Sequence, residues 1–388
     1  MSQDARFSYR EMGAMSIAAI VILFFTYSSS SYSSSNTTIA TTPHLSKGDI
    51  SVSDLGQDRL HHHSSRMSID TEGSCLMDHE PCDLKYRRIV SVADLHGDVD
   101  KARRILRAAG IINRFDGWIA TSGTMLIQTG DLIDRGPNSL DMVKFFHELQ
   151  RSAKAFNGTV INLLGNHEVM LLDGTTFYVD RTELRRHGGK RGFLKKFDTG
   201  TELGEFLRSM PVIKMVDRTL FVHAGLEPSL VEKFCNDGKV DTINYFARSG
   251  VFKKRKERSV QESVVLNSAY GPVWTRSFDI DSPSDIPKAC SKVSQTLDAV
   301  GGDRMVIGHN VQMKGVPQVQ CNGRLILMDV GMSSAMIDGD PVALEISRKQ
   351  FRIVDDKAEQ EDKTPVRCCQ QELKFVTEDG TFNIFSTA

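Results

Sequence analysis

Met125-Leu126-Ile127-Gln128-Thr129-Gly130-Asp131-Leu132-Ile133-Asp134-Arg135-Gly136 is the stretch that decides the fold of this 388-residue chain. Its first part is short, apolar and β-branched, which predicts a buried strand, and carboxylates follow that strand directly. Two other stretches repeat the arrangement: Arg88 to Val92 precedes Asp94-Leu95-His96-Gly97, and Thr159 to Leu164 precedes Gly165-Asn166-His167-Glu168. Open α/β sheets bind ligands at the carboxyl ends of their strands. The sequence therefore predicts a polar site at one sheet edge.

Helical segments follow the first two of these strands. Apolar residues recur at helical spacing from Val99 to Ala109, and Gly110 stands where a left-handed cap is expected. A second helix is predicted to begin at Pro137-Asn138 and to end near Asn157-Gly158. This alternation predicts an α/β fold, with helices flanking the sheet. Further short strands are predicted at Thr219 to Val222, Met305 to Ile307 and Leu325 to Met328.

The charge balance gives no general attraction to nucleic acid. Lys and Arg number 48 against 49 Asp and Glu, so the formal net charge is -1. One basic run, Lys253 to Arg258, resembles a nucleic-acid patch. An apolar segment near the amino terminus argues against that interpretation, and we favour a solvated insertion loop. We therefore expect no nucleic-acid partner.

The first 85 residues have the composition of a targeting segment and a linker. Met12 to Phe25 is almost wholly apolar, follows Arg6 and Arg10, and precedes a Ser/Thr-rich run. We expect an N-terminal signal anchor or signal peptide at 1–27 and a Ser/His-rich linker at 28–85. A catalytic domain would occupy 86–355 and a C-terminal tail 356–388, within which the weakly alternating stretch Leu373 to Ile384 could add an edge strand. The expected location is a single-pass membrane or the secretory pathway, with the domain luminal or extracellular.

The cysteines are too sparse for a disulfide scaffold. The chain has seven of them, an odd number. Cys75 and Cys82 could form a disulfide in an oxidising lumen.

Six side chains after predicted strands supply oxygen and nitrogen ligands for hard or borderline divalent ions. One ion would take Asp94 and His96; the other would take Asn166, His223 and His309. Asp131 would bridge the two ions. Paired ions about 3.5 to 4 Å apart can share a hydroxide whose pKa falls toward about 7. The predicted reaction is direct attack of that hydroxide on phosphorus.

Four other side chains fit the remaining needs of that reaction. Arg135 can present a bidentate fork to phosphate oxygens. His167 can protonate the leaving group, with Asp134 to orient and charge it. Arg276 is a second candidate phosphate ligand, although an Arg near a Trp can also simply stack or pair on the surface. Glu168 is expected to support the site and not to bind metal.

These residues resemble the metallophosphoesterases of the phosphoprotein phosphatase family, whose three motifs match the segments containing Asp94, Asp131 and Asn166. The chain is most similar to the Shewanella-like protein phosphatases. The segments that indicate this are Val222-His223-Ala224-Gly225-Leu226, Gly271-Pro272-Val273-Trp274-Thr275-Arg276 and Asp329-Val330-Gly331-Met332-Ser333. The resemblance covers Lys85 to Val354. It implies a calcineurin-like four-layer sandwich, in which two facing mixed β-sheets are flanked by helices. It also implies two divalent ions (Mn, Fe or Zn).

The resemblance implies hydrolysis of phosphoserine, phosphothreonine or phosphotyrosine in a protein substrate, without a phosphoenzyme. Two departures stand out: Ala93 replaces a usual Gly, and the chain lacks the Ser-Ala-Pro-Asn-Tyr loop of eukaryotic Ser/Thr members. Two alternatives remain open. One is a bis-nucleoside polyphosphate or polyphosphate hydrolase, since the same site could attack phosphoanhydrides. The other is an inactive, membrane-tethered, metal-binding adaptor.

Overall fold

The computed structural model describes residues 86, 88–235, 239–352 and 367–383. The predicted signal anchor, the linker and the Cys75–Cys82 pair lie outside these residues. Within the described ranges, no helix combines the length and the apolar character needed to cross a bilayer.

The first sheet contains the strands that precede the three motifs. Its members are β1 (Arg88–Val92), β2 (Thr124–Gln128), β3 (Thr159–Asn162), β9 (Ala343–Arg352), β10 (Arg367–Thr377) and β11 (Gly380–Asn383). The strand order is β11-β10-β9-β1-β2-β3. β1, β2 and β3 are parallel, whereas β9, β10 and β11 are antiparallel to their neighbours. The carboxyl ends of β1, β2 and β3 therefore share one edge.

The second sheet has five strands and is also mixed. It consists of β4 (Ile213–Val216), β5 (Thr219–Val222), β6 (Arg304–Ile307), β7 (Gln318–Gln320) and β8 (Leu325–Leu327), in the order β4-β5-β6-β8-β7. β5, β6 and β8 are parallel to one another. All of their residues except Arg304 are buried, as the short apolar runs in the sequence predict.

Helices connect and cover the two sheets. The first is α1, whose amino end is capped by the Asp98 side chain. The α-helices are α1 (Val99–Ala108), α2 (Ser139–Ala155), α3 (Asn166–Leu172), α4 (Arg181–Arg186), α5 (Gly189–Leu194), α6 (Glu202–Ser209), α7 (Pro228–Phe234), α8 (Asp241–Gly250), α9 (Val260–Asn267) and α10 (Ile286–Val300). Short 3-10 turns lie at Lys195–Phe197, Arg255–Glu257 and Pro283–Asp285.

Part of the predicted C-terminal segment extends the first sheet. β10 pairs with β9 from Arg367 to Val376, and β11 continues the same sheet. Arg104 of α1 forms an ion pair with Glu378 in the turn between β10 and β11. The described part of the predicted tail is therefore a sheet edge. The weak alternation in the sequence indicated only its final part, because edge strands need little apolar patterning.

One disulfide joins Cys290 in α10 to Cys321 in the turn between β7 and β8. This pair was not predicted from the sequence, because the two cysteines are 31 residues apart and only the fold brings them together. Cys235 is buried at the end of α7.

Candidate metal centre

Side chains from both sheets meet at the carboxyl ends of the parallel strands. Asp94, Asp131 and Asn166 follow β1, β2 and β3, whereas His223 and His309 follow β5 and β6. The His309 backbone N–H donates to Oδ2 of Asp94 over 2.6 Å. Nε2 of His223 lies 3.0 Å from Oδ1 of Asn166. The two sheets are thus joined at the predicted site.

Asp131 lies at the centre of this cluster. Its Oδ2 is 3.9 Å from His96 Nε2 and 3.8 Å from His167 Nε2, and its Oδ1 is 3.4 Å from His223 Nε2. Asp131 belongs to both groups of side chains that could hold an ion. These groups are His96-Asp131-His167 and Asp131-His223-His309. The position suits a bridging carboxylate.

Two predicted residues need separate comment. Asp94 belongs to neither of these groups, yet its Oδ1 lies 3.6 Å from Nδ1 of His223, so it borders the second group. His167, predicted as an acid, lies within ligand distance in the first group. Its hydrogen bond to Asp134 fits both a ligand and an acid, because metal-bound histidines also pair with carboxylates.

His167 and Asp134 form a buried pair. Nδ1 of His167 lies 2.8 Å from Oδ2 of Asp134. Burial by itself lowers the pKa of the imidazole, but Asp131 and Asp134 outweigh burial, and the pKa of His167 is raised. A raised pKa keeps the ring protonated nearer to neutral pH. Because Asp134 occupies Nδ1, the free nitrogen is Nε2, and this arrangement suits a general acid.

Glu168 supports the turn that carries Asp131. Its carboxylate accepts backbone N–H groups from Asp131 and Leu132, each over 2.9 Å, and from Gly165 over 2.8 Å. The side chain is completely buried. Glu168 thus fastens the ends of β2 and β3 to each other, which is the supporting role expected from the sequence.

Several site residues have an unusual backbone conformation. His96, Asp131, Asp134 and His309 have φ values of 44°, 57°, 70° and 63°. This left-handed region costs on the order of 1 to 3 kcal/mol for a residue other than glycine. Gly165 is required beside Asp131, because a Cβ there would overlap the Asp131 carboxylate. With this backbone conformation, the polar side chains of these residues lie toward one another.

Two histidines of the cluster, His96 and His309, are held neutral. Burial, followed by the charge of His167, lowers the pKa of His96 to about 3. Burial, followed by the charge of His223, lowers the pKa of His309. A neutral imidazole is the form that binds metal.

The buried acids and two unpartnered atoms fit bound cations. Burial, and then the neighbouring Asp329 and Asp131, raise the pKa of Asp94 well above its usual range. Oδ1 of Asp94 and Nε2 of His309 are buried without a hydrogen-bond partner. Buried carboxylates are costly unless they are paired or bind metal. The donor set therefore fits divalent metal ions.

Arg135 lies beside this cluster against an aromatic residue. Its guanidinium carbon is 4.9 Å from the ring centroid of Tyr178, and its backbone N–H donates to the Tyr178 carbonyl over 2.7 Å. The Tyr178 ring is also 5.1 Å from the ring of His167. Tyr178 thus contacts the predicted phosphate ligand and the predicted acid.

Arg276 lies at the outer edge of the site. Its Nη1 donates to the His309 carbonyl and to Oδ1 of Asn310, each over 3.0 Å. Its side chain is 57% exposed, so the rest of the guanidinium faces solvent. The structure therefore brings Arg276 to the mouth of the site, where a second phosphate ligand would lie.

Two residues of this site were not predicted from the sequence. Asp329 follows β8, is buried, and forms a side-chain hydrogen bond with Asp94. The same pattern of strand followed by carboxylate could have indicated it. Tyr178 lies in the loop between α3 and α4 and has no comparable signal in the sequence.

Comparison with known proteins agrees with the fold and the cluster. The sequence profile of the calcineurin-like phosphoesterase family matches residues 87–312. The chain belongs to the calcineurin-like phosphoesterase family. Shewanella-like protein phosphatase 2 of Arabidopsis thaliana is 28% identical over 308 residues, which cover 68% of this chain and 76% of that protein. Shewanella-like protein phosphatase 1 of Plasmodium berghei is 28% identical over 307 residues, covering 76% and 83%.

A solved structure shows the same fold. It is described as a cold-active protein tyrosine phosphatase and matches this phosphoesterase with a TM-score of 0.62 at 22% identity, covering 77% of this chain and 78% of that one. The predicted family resemblance, the two mixed sheets flanked by helices and the hydrolase class are thereby confirmed. The identity of the metals and of the substrate stays a prediction.

Proposed function

We propose that this calcineurin-like phosphoesterase is a dimetal phosphoprotein phosphatase that hydrolyses phosphate monoesters directly, without a phosphoenzyme. The observation that carries the proposal is one cluster in which Asp131 belongs to both ion-holding groups and lies 3.8 Å from His167. Displacement at phosphorus needs an activated water on one side and a proton for the leaving oxygen on the other. The cluster and the His167–Asp134 pair offer both.

Six residues would hold two divalent ions: Asp94, His96, Asp131, Asn166, His223 and His309. Such ions, when bound, lower the pKa of a shared water and neutralise charge on the phosphate.

The side chains around the ions would do the remaining work. Arg135 would bind two phosphate oxygens, because its planar guanidinium presents paired donors and lies 4.9 Å from the Tyr178 ring, beside the cluster. His167 would donate a proton from Nε2 to the leaving oxygen, while Asp134 stabilises the imidazolium through Nδ1. Arg276 would bind a third phosphate oxygen with the exposed part of its guanidinium.

The aromatic residues beside His167 favour phosphotyrosine among the three phosphoamino acids. The leaving group must lie next to the acid, and the Tyr178 ring is 5.1 Å from His167. Phe177 contacts Tyr178 edge-to-face and is 82% exposed. Flat aromatic leaving groups would stack there, and such ring pairs contribute about 0.5 to 1.5 kcal/mol beyond the area they bury. Phosphotyrosine should therefore be turned over several-fold faster than phosphoserine.

Metal analysis paired with kinetics tests the function. The purified full chain, loaded separately with Mn²⁺, Fe²⁺ or Zn²⁺, would be given p-nitrophenyl phosphate, phosphopeptides that differ only in the phosphorylated residue, diadenosine tetraphosphate and polyphosphate. We expect two ions per chain and the highest kcat/KM on a phosphopeptide. Phe177→Ala should reduce the preference for phosphotyrosine, whereas Phe115→Ala, an exposed aromatic elsewhere, should not.

Two outcomes would overturn the proposal. Turnover of diadenosine tetraphosphate or polyphosphate with negligible release from every phosphopeptide would indicate the polyphosphate hydrolase. Two bound ions without turnover of any substrate, at any pH and with any of the metals, would indicate the adaptor.

We also propose that the catalytic domain lies in a lumen or outside the cell, attached through the N-terminal apolar segment. The apolar run Met12 to Phe25 after Arg6 and Arg10 supports this, and so does the Cys290–Cys321 disulfide, since disulfides persist in oxidising compartments. Protease treatment of intact vesicles should leave the domain uncut. Complete digestion without detergent would contradict this location.

A further inference from the structure

The basic run Lys253 to Arg258 has two different parts in the structure. The side chains of Lys254, Arg255 and Lys256 are exposed and, among the described residues, form no ion pair. Lys253 instead pairs with Glu262 over 2.6 Å. Arg258 is buried, so the expectation of a uniformly solvated loop is wrong for that residue.

Arg258 fastens the basic run to the catalytic domain. Its two terminal nitrogens donate to both oxygens of Asp173, over 2.6 and 3.0 Å, and its Nε donates to the Gly250 carbonyl. Asn267 also donates to Asp173. A bidentate pair at a buried guanidinium has a fixed geometry. The run therefore has a defined position and is not a free loop.

That position is close to the proposed catalytic centre. Asp173 directly follows α3, whose first two residues are Asn166 and His167. A helix of seven residues is about 10 Å long. The same Asp173 begins the loop that carries Tyr178. The three exposed cations come two to four residues before Arg258, so a substrate segment of roughly eight extended residues would reach from the phosphate site to them.

The local charge is positive although the chain as a whole is nearly neutral. Glu257 is the acidic residue of this short turn, and Lys254, Arg255 and Lys256 outnumber it. Apolar side chains flank the turn: Phe252 is 50% exposed and Val260 is 70% exposed. Cations beside apolar contacts are complementary to an acidic peptide.

We infer that Lys254, Arg255 and Lys256, called here the basic turn, bind an acidic segment of the phosphoprotein substrate that lies several residues from the phosphorylated side chain. This inference rests on the proposed function and names a feature of its substrate. The turn selects substrates by long-range charge and takes no part in the chemical step. Its effect should therefore be seen in kcat/KM on long substrates and not on small ones.

The test uses two phosphopeptides with the same phosphorylated residue. One carries four Glu residues on each side of it, at positions five to eight, and the other carries Gln there. For the unsubstituted enzyme at low salt we expect kcat/KM to be about tenfold higher on the Glu peptide, because charges at the rim of an interface act mainly on association. Added salt should shrink this ratio.

Matched variants assign the effect to the turn. The triple substitution Lys254→Gln, Arg255→Gln and Lys256→Gln should bring the ratio close to one. A control with the same loss of charge combines Arg114→Gln, Arg151→Gln and Lys154→Gln. Arg114 follows α1, and Arg151 and Lys154 lie near the end of α2, so all three precede strands of the first sheet and lie away from the carboxyl ends of those strands. The control should keep the ratio. p-Nitrophenyl phosphate turnover should be unchanged in both variants.

The outcomes separate this inference from the proposed function. A ratio that is the same in the triple variant and in the unsubstituted enzyme, with phosphopeptides still hydrolysed, overturns the inference alone. No turnover of either peptide, with p-nitrophenyl phosphate still hydrolysed, overturns the protein substrate and the inference together. Loss of binding to phosphatidylserine vesicles in the triple variant, without a change in the peptide ratio, would assign the turn to a membrane surface and overturn the inference.

Discussion

The buried cluster of predicted metal ligands and the exposed rim around it are constructed differently. Each predicted ligand lies within five residues of the end of a strand, and three of them (His96, Asp131 and His309) have a left-handed backbone conformation. The rim residues Tyr178, Arg276 and the basic turn come from loops, and they are held by contacts with other loops. Strand ends thus fix the chemistry, while loops remain able to vary recognition. Substitutions in the two regions should therefore differ in the size and the kind of effect.

The largest effect is expected from Asp131→Asn in the cluster. Asp131 belongs to both ion-holding groups, so its loss should reduce the content of both ions and lower kcat/KM for p-nitrophenyl phosphate by more than about 10⁴-fold. Metal content by mass spectrometry and initial rates would measure this. Asp303→Asn, an exposed carboxylate far from the cluster, is the control. Two tightly bound ions in Asp131→Asn would contradict a bridging role.

His167→Asn should have the next largest effect, and it distinguishes an acid from a ligand. An acid contributes about 10²- to 10⁴-fold when the leaving oxygen needs a proton. We therefore expect a loss of this size in kcat on phenyl phosphate and a smaller loss on p-nitrophenyl phosphate, whose leaving group is more acidic. The metal content should be unchanged. An equal loss on both substrates together with loss of metal would make His167 a ligand.

The substitution Arg258→Met removes the ion pair with Asp173 that fastens the basic turn to the end of α3. Removing one partner of a buried ion pair leaves an uncompensated charge, here on Asp173, and typically costs about 3 kcal/mol or more in the free energy of unfolding. Urea unfolding would measure this loss. Arg248→Met, an exposed arginine on α8, should change little. A second substitution, Asp173→Leu, should restore part of the stability of Arg258→Met; no recovery would mean that the ion pair is not the cause.

The smallest effect is expected at the rim, in the pH dependence of stability. Burial, with help from Asp281 and Asp285, raises the pKa of Asp279 to about 6 from 3.8. The folded state therefore holds a proton that the unfolded state releases, and this contribution to stability is lost as the pH rises from about 4 through about 6. Asp279→Asn should flatten that part of the profile of unfolding free energy against pH. A variant profile parallel to that of the unsubstituted chain would contradict the raised pKa.

Much of the cluster could be predicted from the sequence, because each of its residues directly follows the strand that positions it. A short apolar run can hardly be anything other than a buried strand, and parallel strands place their carboxyl ends at one edge. Asp94, Asp131 and Asn166 could thus be grouped from the order of residues alone. Asp329 obeys the same rule and could have been included.

Apart from Arg276, the rim could not be predicted in the same way, and neither could other contacts between distant residues. Arg258 and Asp173 are 85 residues apart, and Cys290 and Cys321 are 31 residues apart. The first part of β10 also had no clear signal in the sequence. Its pairing with β9 uses backbone hydrogen bonds, which any residue except proline can make.

By itself, the sequence determined the α/β character, the order of the main strands along the chain and the residue types of the predicted ligands, since these depend on residues that are neighbours along the chain. Only the tertiary structure decided that Asp131 occupies the centre, that Tyr178 lies against His167 and Arg135, and that Arg258 fastens the basic turn to Asp173 at the end of α3. Those contacts join residues that are distant in sequence. They form, and contribute to stability, only when the chain has folded.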